Sequence, residues 1–129
     1  MNRKGAVSFE IMVPIQILRD LLYAAVEGGS NYWAEFRNAE WTESCDYRRV
    51  KVTELKPHEE GVRRINRYVT AEDLTRGLAK LAEAAVEETN RGRFPAAGEH
   101  LGDALSANGD ATTADVVLQM TVFGRLIYQ

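Results

Sequence analysis

Four stretches of the chain alternate between apolar and polar residues, which is the pattern of a half-buried β-strand. In the first of them, apolar residues occupy every second position from Val7 to Val13. The predicted strands span residues 6–13, 32–41, 47–55 and 62–69. Turn-forming residues separate the last three strands, so we expect an antiparallel meander with the first strand paired at one edge.

Apolar residues elsewhere recur at helical spacing. Pro14 suits the first position of a helix, because the N–H that it lacks needs no partner there. Thr70 and Asp73 have the spacing of a helix N-cap. The predicted helices span residues 14–27, 71–89 and, with less support because Gly98 and Gly102 lower helix propensity, 96–106. A loop at Phe94-Pro95 joins the last two.

A final helix, capped by Thr112 or Thr113 and with Asp115 in its first turn, carries apolar residues on more than one stripe. Such a helix is either the centre of a core or a surface for a partner. The continuity of its apolar surface favours self-association, most simply as a two-fold dimer and otherwise as a higher homo-oligomer.

Length and composition indicate a single domain, residues 1–129. With the order of elements, they predict an α+β fold: a small antiparallel sheet of about four strands with three to four helices packed on one face. The net charge of −3 makes direct nucleic-acid binding an unfavoured hypothesis. One cysteine, Cys45, fits a reducing compartment, and no apolar stretch has the length of a membrane span, so we expect a cytoplasmic protein.

Residues 27–33, Glu-Gly-Gly-Ser-Asn-Tyr-Trp, join the first helix to the second strand. Gly28 and Gly29 can adopt the positive φ that ends many helices. Tyr32 and Trp33 place two large rings at one point of the chain, beside the turn former Asn31. Two interpretations stay open: the rings cover the core, or the corner presents Asn31, Tyr32 and Trp33 to a ligand.

Two longer stretches are distinctive. Residues 21–33 read Leu-Leu-Tyr-Ala-Ala-Val-Glu-Gly-Gly-Ser-Asn-Tyr-Trp, and residues 110–128 read Asp-Ala-Thr-Thr-Ala-Asp-Val-Val-Leu-Gln-Met-Thr-Val-Phe-Gly-Arg-Leu-Ile-Tyr. They resemble the opening and closing signatures of a family of small, poorly characterised phage and prophage proteins. The chain departs from the family's pattern at Arg125, where an acidic residue is typical, and in the loop of residues 94–97. The resemblance implies a phage or mobile-element setting but no reaction.

Sequence motifs of catalysis are missing: the chain has no phosphate loop, dinucleotide fingerprint, metallohydrolase motif or nucleophile elbow. His58 is followed by two glutamates, but the cysteine pair that a zinc deaminase requires is lacking. His58 and His100 lie in unlike segments, and His58, in a turn, is expected to be solvated rather than a metal ligand. We expect no cofactor and no metal, and an enzyme is the less favoured hypothesis.

Arginine and tyrosine residues are concentrated on two neighbouring predicted strands. Arg49 on one strand and Arg64 and Tyr68 on the next can meet, because cross-strand neighbours lie about 5 Å apart. Arg67 lies on the other face of its strand. Such a group suits a phosphate and a stacked base. The alternative is a solvent-facing surface of arginines paired with glutamates.

The sequence therefore predicts a non-enzymatic, phage- or prophage-type binding protein that interferes with a host process such as a defence system. It would block a host protein or sequester a signalling nucleotide. The predicted ligand-binding residues are Asn31, Tyr32, Trp33, Arg49, Arg64, Arg67 and Tyr68. A small enzyme acting on a nucleotide or nucleic acid, and a structural or replication accessory protein, stay open as alternatives.

Overall fold

The structure of the protein, a computed structural model, describes residues 5–6, 10–91 and 96–129, and the side chains of these residues except 87–91. The helices are α1 (Ile15–Ala24), α2 (Leu74–Arg91), α3 (Ala97–Leu105) and α4 (Ala111–Phe123), and a π-helical turn (Ala25–Gly29) extends α1. The strands are β1 (Ala34–Trp41), β2 (Tyr47–Glu54) and β3 (Asn66–Thr70). The described chain is therefore α+β, with one antiparallel sheet in the order β1-β2-β3 and four helices.

The described sheet has three strands where the sequence predicts about four. Residues 7–9 of the predicted first strand lie outside the described residues, as does the predicted loop at Phe94-Pro95. Residues 10–13 do not form a strand, and Ile11 and Met12 are 57% and 88% exposed, so their alternation is not matched by burial. β3 begins at Asn66 instead of residue 62. Before it, the carbonyl of Ile65 accepts the backbone N–H of Glu54, whereas the N–H of Ile65 donates to the Glu54 side chain.

The first helix ends differently from the sequence prediction. The N–H of Ser30 donates to the carbonyl of Ala25 at 2.9 Å, which closes a π turn. Gly28 has φ 175°, an extended conformation open to any residue, rather than the positive φ expected. Gly29 is needed for a close approach, since a Cβ there would lie 2.3 Å from the carbonyl oxygen of Ala111. The corner and the start of α4 therefore pack backbone to backbone.

α4 is the centre of the core. Its ten residues from Thr113 to Val122 are all buried, and it packs against α1, α2 and α3. Of the two interpretations of this helix, the core helix is therefore confirmed. Self-association stays a prediction, but α4 no longer supports it because its apolar surface is used within the chain.

The cap of α4 is Asp110, not Thr112 or Thr113. Its carboxylate accepts the N–H of Thr113 at 2.8 Å. This backbone hydrogen bond holds the pKa of Asp110 below its usual range. At the other end of the helix, Gly124 adopts the left-handed conformation, with φ 74°, and turns the chain back along α4.

The two faces of the sheet differ in exposure. Val50, Val52 and Val69 are buried and belong to the same core as the helices. On the opposite face, Arg37 and Tyr68 are exposed. In the described part of the chain, no helix combines the length and the apolar character needed to cross a membrane.

Candidate functional site

Asp115 is a buried carboxylate with four donors. One of its oxygens accepts hydrogen bonds from the hydroxyl of Ser30 at 2.8 Å and from the indole N–H of Trp33 at 2.7 Å. The other accepts from the hydroxyl of Tyr32 at 2.6 Å and from the amide of Gln119 at 3.1 Å. Asp115 is 6% exposed, so these bonds replace the water that the charge has lost.

The corner before β1 supplies three of these donors because it is a tight turn. The N–H groups of Trp33 and Ala34 both donate to the carbonyl of Ser30, so the chain folds back on itself. The side chains of Ser30, Tyr32 and Trp33 then converge on α4. Burial, followed by the hydrogen bond to Asp115 and its charge, raises the pKa of Tyr32 far above its usual value, so its hydroxyl remains a donor at neutral pH.

Glu54, at the end of β2, is a second buried carboxylate. It accepts the N–H of Ile65 at 3.0 Å, and Nδ1 of His58 lies 3.2 and 3.1 Å from its two oxygens. The hydroxyl of Tyr128 donates to it through a short hydrogen bond. Burial by itself raises the pKa of Glu54, but these donors outweigh burial and hold it below its usual value. Burial and the bond to Glu54 raise the pKa of Tyr128 to about 12.

The C-terminal segment after α4 is fixed by Gln119. The side-chain oxygen of Gln119 accepts the N–H groups of Ile127 at 2.9 Å and Tyr128 at 2.7 Å, and its amide donates to the carbonyl of Tyr128 at 2.9 Å. The ring of Tyr128 stacks on Trp33, with centroids 5.5 Å apart and planes 8° from parallel. Tyr128 therefore connects the two carboxylates, through its hydroxyl to Glu54 and through Trp33 to Asp115.

A cleft of about 1150 Å³ lies between α2, the start of α3, α4 and this C-terminal segment. Its apolar lining includes Ala84, Val116 and Met120. The rings of Tyr32 and Tyr128 line it as well and meet edge to face, with centroids 6.4 Å apart. Both rings are therefore held in place by the hydrogen bonds described above, Tyr32 by Asp115 and Tyr128 by Glu54 and Gln119.

Two cations line the same cleft, Lys80 on α2 and Arg125 just after α4. Nζ of Lys80 is 3.6 Å from Glu83, and a guanidinium nitrogen of Arg125 is 3.9 Å from Glu59. Both distances are longer than a charge-assisted hydrogen bond, which is typically about 2.7–2.9 Å. Neither cation is therefore held firmly by its acid.

The structure places the three predicted ligand-binding residues of the corner in different surroundings. Trp33 is 2% exposed and belongs to the core, so for this residue the interpretation of a ring that covers the core is confirmed. Tyr32 is 51% exposed and lines the cleft. Asn31 is exposed and borders a second, smaller hollow, which Glu27 and Tyr47 also line. The corner therefore offers Tyr32 to the cleft and turns Asn31 away from it.

The predicted arginine–aromatic group on the sheet is brought together only in part. The guanidinium of Arg49 lies 3.7 Å above the ring of Tyr68, and its Nε is 2.9 Å from Glu40. Arg64 is exposed and precedes β3, whereas Arg67 pairs with Val52, on the face of the buried valines. Arg49 already has a ring and a carboxylate as partners. For this residue, the pairing favours the alternative interpretation of a surface on which arginines pair with glutamates.

His58 differs from the solvated turn residue expected from the sequence. Its side chain is 10% exposed, bonds to Glu54 and packs edge-on against Phe123, with ring centroids 4.8 Å apart. Cys45 is exposed in the turn between β1 and β2. Among the side chains that the structure describes, no three of His, Cys, Asp or Glu are grouped so as to hold a metal ion.

Asp115 lies one turn further into the last helix than the sequence predicts, because α4 begins at Ala111 and its first turn holds no acid. An acid in a first turn is ordinary, so the predicted position gives no reason to include Asp115 among the ligand-binding residues. The signal that indicates its role is an acid within a run of apolar residues that covers every side of a helix, because such an acid must be buried and must find donors.

Comparison of the chain with protein-family models, with curated proteins and with solved structures finds no match in any of the three. The resemblance of residues 21–33 and 110–128 to phage and prophage proteins stays a prediction.

Proposed function

We propose that the protein is a non-enzymatic binding protein that captures a small molecule in the cleft between α2, α3, α4 and the C-terminal segment. In the phage or prophage setting that the sequence suggests, this capture sequesters a host molecule, such as a signalling nucleotide, and so interferes with a host process. The observation that carries the proposal is the cleft itself. Its volume of about 1150 Å³ is ample for a small ligand, since ligand sites typically measure roughly 300–1,000 Å³.

The lining of the cleft supports binding of an organic molecule. Ala84, Val116 and Met120 give it an apolar surface, and the half-exposed ring of Tyr32 gives it a flat one. Sites for small molecules combine such surfaces with a few polar groups that orient the ligand. The walls are preorganised, because Tyr32 and Tyr128 are each bonded to a buried carboxylate, so little entropy is lost on binding.

The hydrogen bonds that the two buried carboxylates accept support binding without a catalysed reaction. Each oxygen of Asp115 accepts two hydrogen bonds, and Glu54 accepts from a backbone N–H, from His58 and from Tyr128. A general base needs an oxygen within reach of the proton that it abstracts. Carboxylates whose oxygens are already engaged by donors of the protein are better suited to hold the walls than to react.

The experiment compares the wild-type protein with two tryptophan variants of α2. Ala84→Trp places a large ring in the cleft, whereas Val86→Trp adds the same ring at an exposed position of the same helix that does not line the cleft. Each protein is purified from producing cells and denatured, and the released small molecules are identified by absorbance and mass spectrometry. Thermal unfolding of each variant shows that it is folded.

We expect wild type and Val86→Trp to release one small molecule in near-stoichiometric amount, and Ala84→Trp to release little or none. Equal release from all three proteins would place the ligand elsewhere. Empty extracts from wild type, repeated after incubation with a metabolite extract of the host, would contradict the proposal.

A further inference from the structure

Lys80 and Arg125 approach the cleft from different elements. Lys80 lies on α2, one turn before Ala84, and Arg125 follows the left-handed Gly124 that ends α4. Their side chains are 51% and 64% exposed. Because their distances of 3.6 Å to Glu83 and 3.9 Å to Glu59 are too long for strong hydrogen bonds, both cations are free to turn toward a ligand.

The acids Asp115 and Glu83 also line the cleft, and they differ in exposure. The four donors of Asp115 are neutral groups that stabilise its negative charge and occupy both of its oxygens. Glu83, 71% exposed, is one helical turn from Lys80 and faces water, where its field is screened. Among the described residues that line the cleft, the exposed charged side chains are therefore those of Lys80, Arg125 and Glu83.

Tyr32 and Tyr128 supply the aromatic part of the cleft. The hydroxyl of Tyr32 is bonded to Asp115 and its ring is half exposed, so the orientation of the ring is fixed while part of its surface remains available. Tyr128 meets it edge to face, so the two rings do not cover each other by stacking. A planar group of a ligand can therefore lie against Tyr32.

We infer that the cleft selects a nucleoside phosphate, with its phosphate held by Lys80 and Arg125 and its base against Tyr32. The inference rests on the proposed function, because it assigns the class of ligand that the cleft captures. The nucleotide is then bound in the cleft and not by the residues that the sequence predicts on the strands, Arg49, Arg64, Arg67 and Tyr68. Lysine and arginine are the side chains that bind phosphate best, and an aromatic ring accepts any base.

The test measures binding of the four ribonucleosides and their 5′-monophosphates to the full chain by calorimetry, after any copurified ligand has been removed. At least one monophosphate should bind about tenfold more tightly than its nucleoside. Lys80→Met and Arg125→Met should each remove most of that advantage and leave nucleoside binding unchanged. Arg19→Met, on α1 and outside the cleft, is the matched control and should change neither.

The outcomes separate the inference from the proposed function. Equal binding of nucleosides and monophosphates, or monophosphate binding that survives both Lys80→Met and Arg125→Met, would overturn the phosphate assignment and leave capture in the cleft intact. Loss of all binding in Ala84→Trp would still support the cleft in that case. Failure of all eight compounds to bind wild type would overturn the inference, whereas a different molecule released on denaturation would preserve the proposed function.

Discussion

Asp115 and Glu54 are both buried acids, but the groups that surround them differ. All four donors of Asp115 are side chains, three from the corner before β1 and one from α4. Glu54 receives a backbone N–H, a histidine and a tyrosine of the C-terminal segment. Asp115 thus links α4 to the corner before β1, whereas Glu54 links the C-terminal segment to the end of β2. We expect the hydrogen bonds of Asp115 to contribute most to the free energy of unfolding. We expect those of Glu54 to make that free energy depend on pH.

The most damaging change to this arrangement should be Asp115→Ala. It leaves the hydroxyl of Ser30 and the indole N–H of Trp33 buried without an acceptor, so the free energy of unfolding should fall by about 3–4 kcal/mol. Urea denaturation followed by tryptophan fluorescence measures this fall. Asp20→Ala, at an exposed position of α1, is the control and should change stability by less than about 0.5 kcal/mol. A small effect of Asp115→Ala would mean that the network is incidental to the fold.

Gln119→Leu tests the link between the two carboxylates. The substitution keeps the volume of the side chain but removes the acceptor of the Ile127 and Tyr128 N–H groups, so we expect a loss of about 2 kcal/mol. Hydrogen exchange of the Ile127 amide should accelerate at least about tenfold, while amides in the middle of α4 keep their order of protection. Unchanged exchange at Ile127 would show that the C-terminal segment is held by the Trp33 stack alone.

Most of the strands and helices of the fold could be predicted from the sequence. The periods of the apolar residues place three strands and four helices within a few residues of their observed bounds, because burial of one face dictates those periods. The run of apolar residues in α4 correctly indicates a core helix as one of two choices. Nothing local distinguishes a core helix from a partner surface, since the difference lies in what packs against it.

The site could be predicted only in part. The sequence predicts Tyr32 as a ligand-binding residue from its place in an aromatic corner, and Tyr32 lines the cleft. Lys80 on α2 is far in the sequence from Asp115 and Arg125, and the packing of α2 against α4 brings them to one cleft. The prediction that His58 is solvated is wrong for the same reason, because its ring packs against Phe123, which is far from it in the sequence.

Glu54→Gln should reveal the pH dependence. The pKa of Glu54 in the folded protein lies below the ordinary value of 4.5, so its contribution is complete above that value and is lost as the pH falls through the lower folded pKa. The variant should be less stable by about 1–2 kcal/mol at neutral pH, and the difference from wild type should shrink on acidification below 4.5. Asp110, with its own lowered pKa, is present in both proteins and cancels in this difference.

The smallest effect is expected for Tyr128→Phe, which keeps the stack on Trp33 and removes only the hydroxyl. At neutral pH the cost should be about 1 kcal/mol. Because the folded pKa is raised from 10.0 to about 12, the contribution is complete below pH 10 and declines as the pH rises toward 12. Urea denaturation at a series of alkaline pH values should show the two proteins converging, and a constant difference would contradict the bond to Glu54. Tyr32 and Tyr47 titrate in both proteins and do not affect the comparison.

The central claim is that two carboxylates occupied by the protein's own donors hold the walls of a cleft that binds a molecule without changing it. The most direct test is to denature the purified wild-type protein at once and after prolonged incubation with an excess of the captured molecule, and to determine the mass and amount of what is released. We predict one molecule per chain, of unaltered mass, at both times. A product of different mass that accumulates beyond one per chain would show turnover and contradict the account.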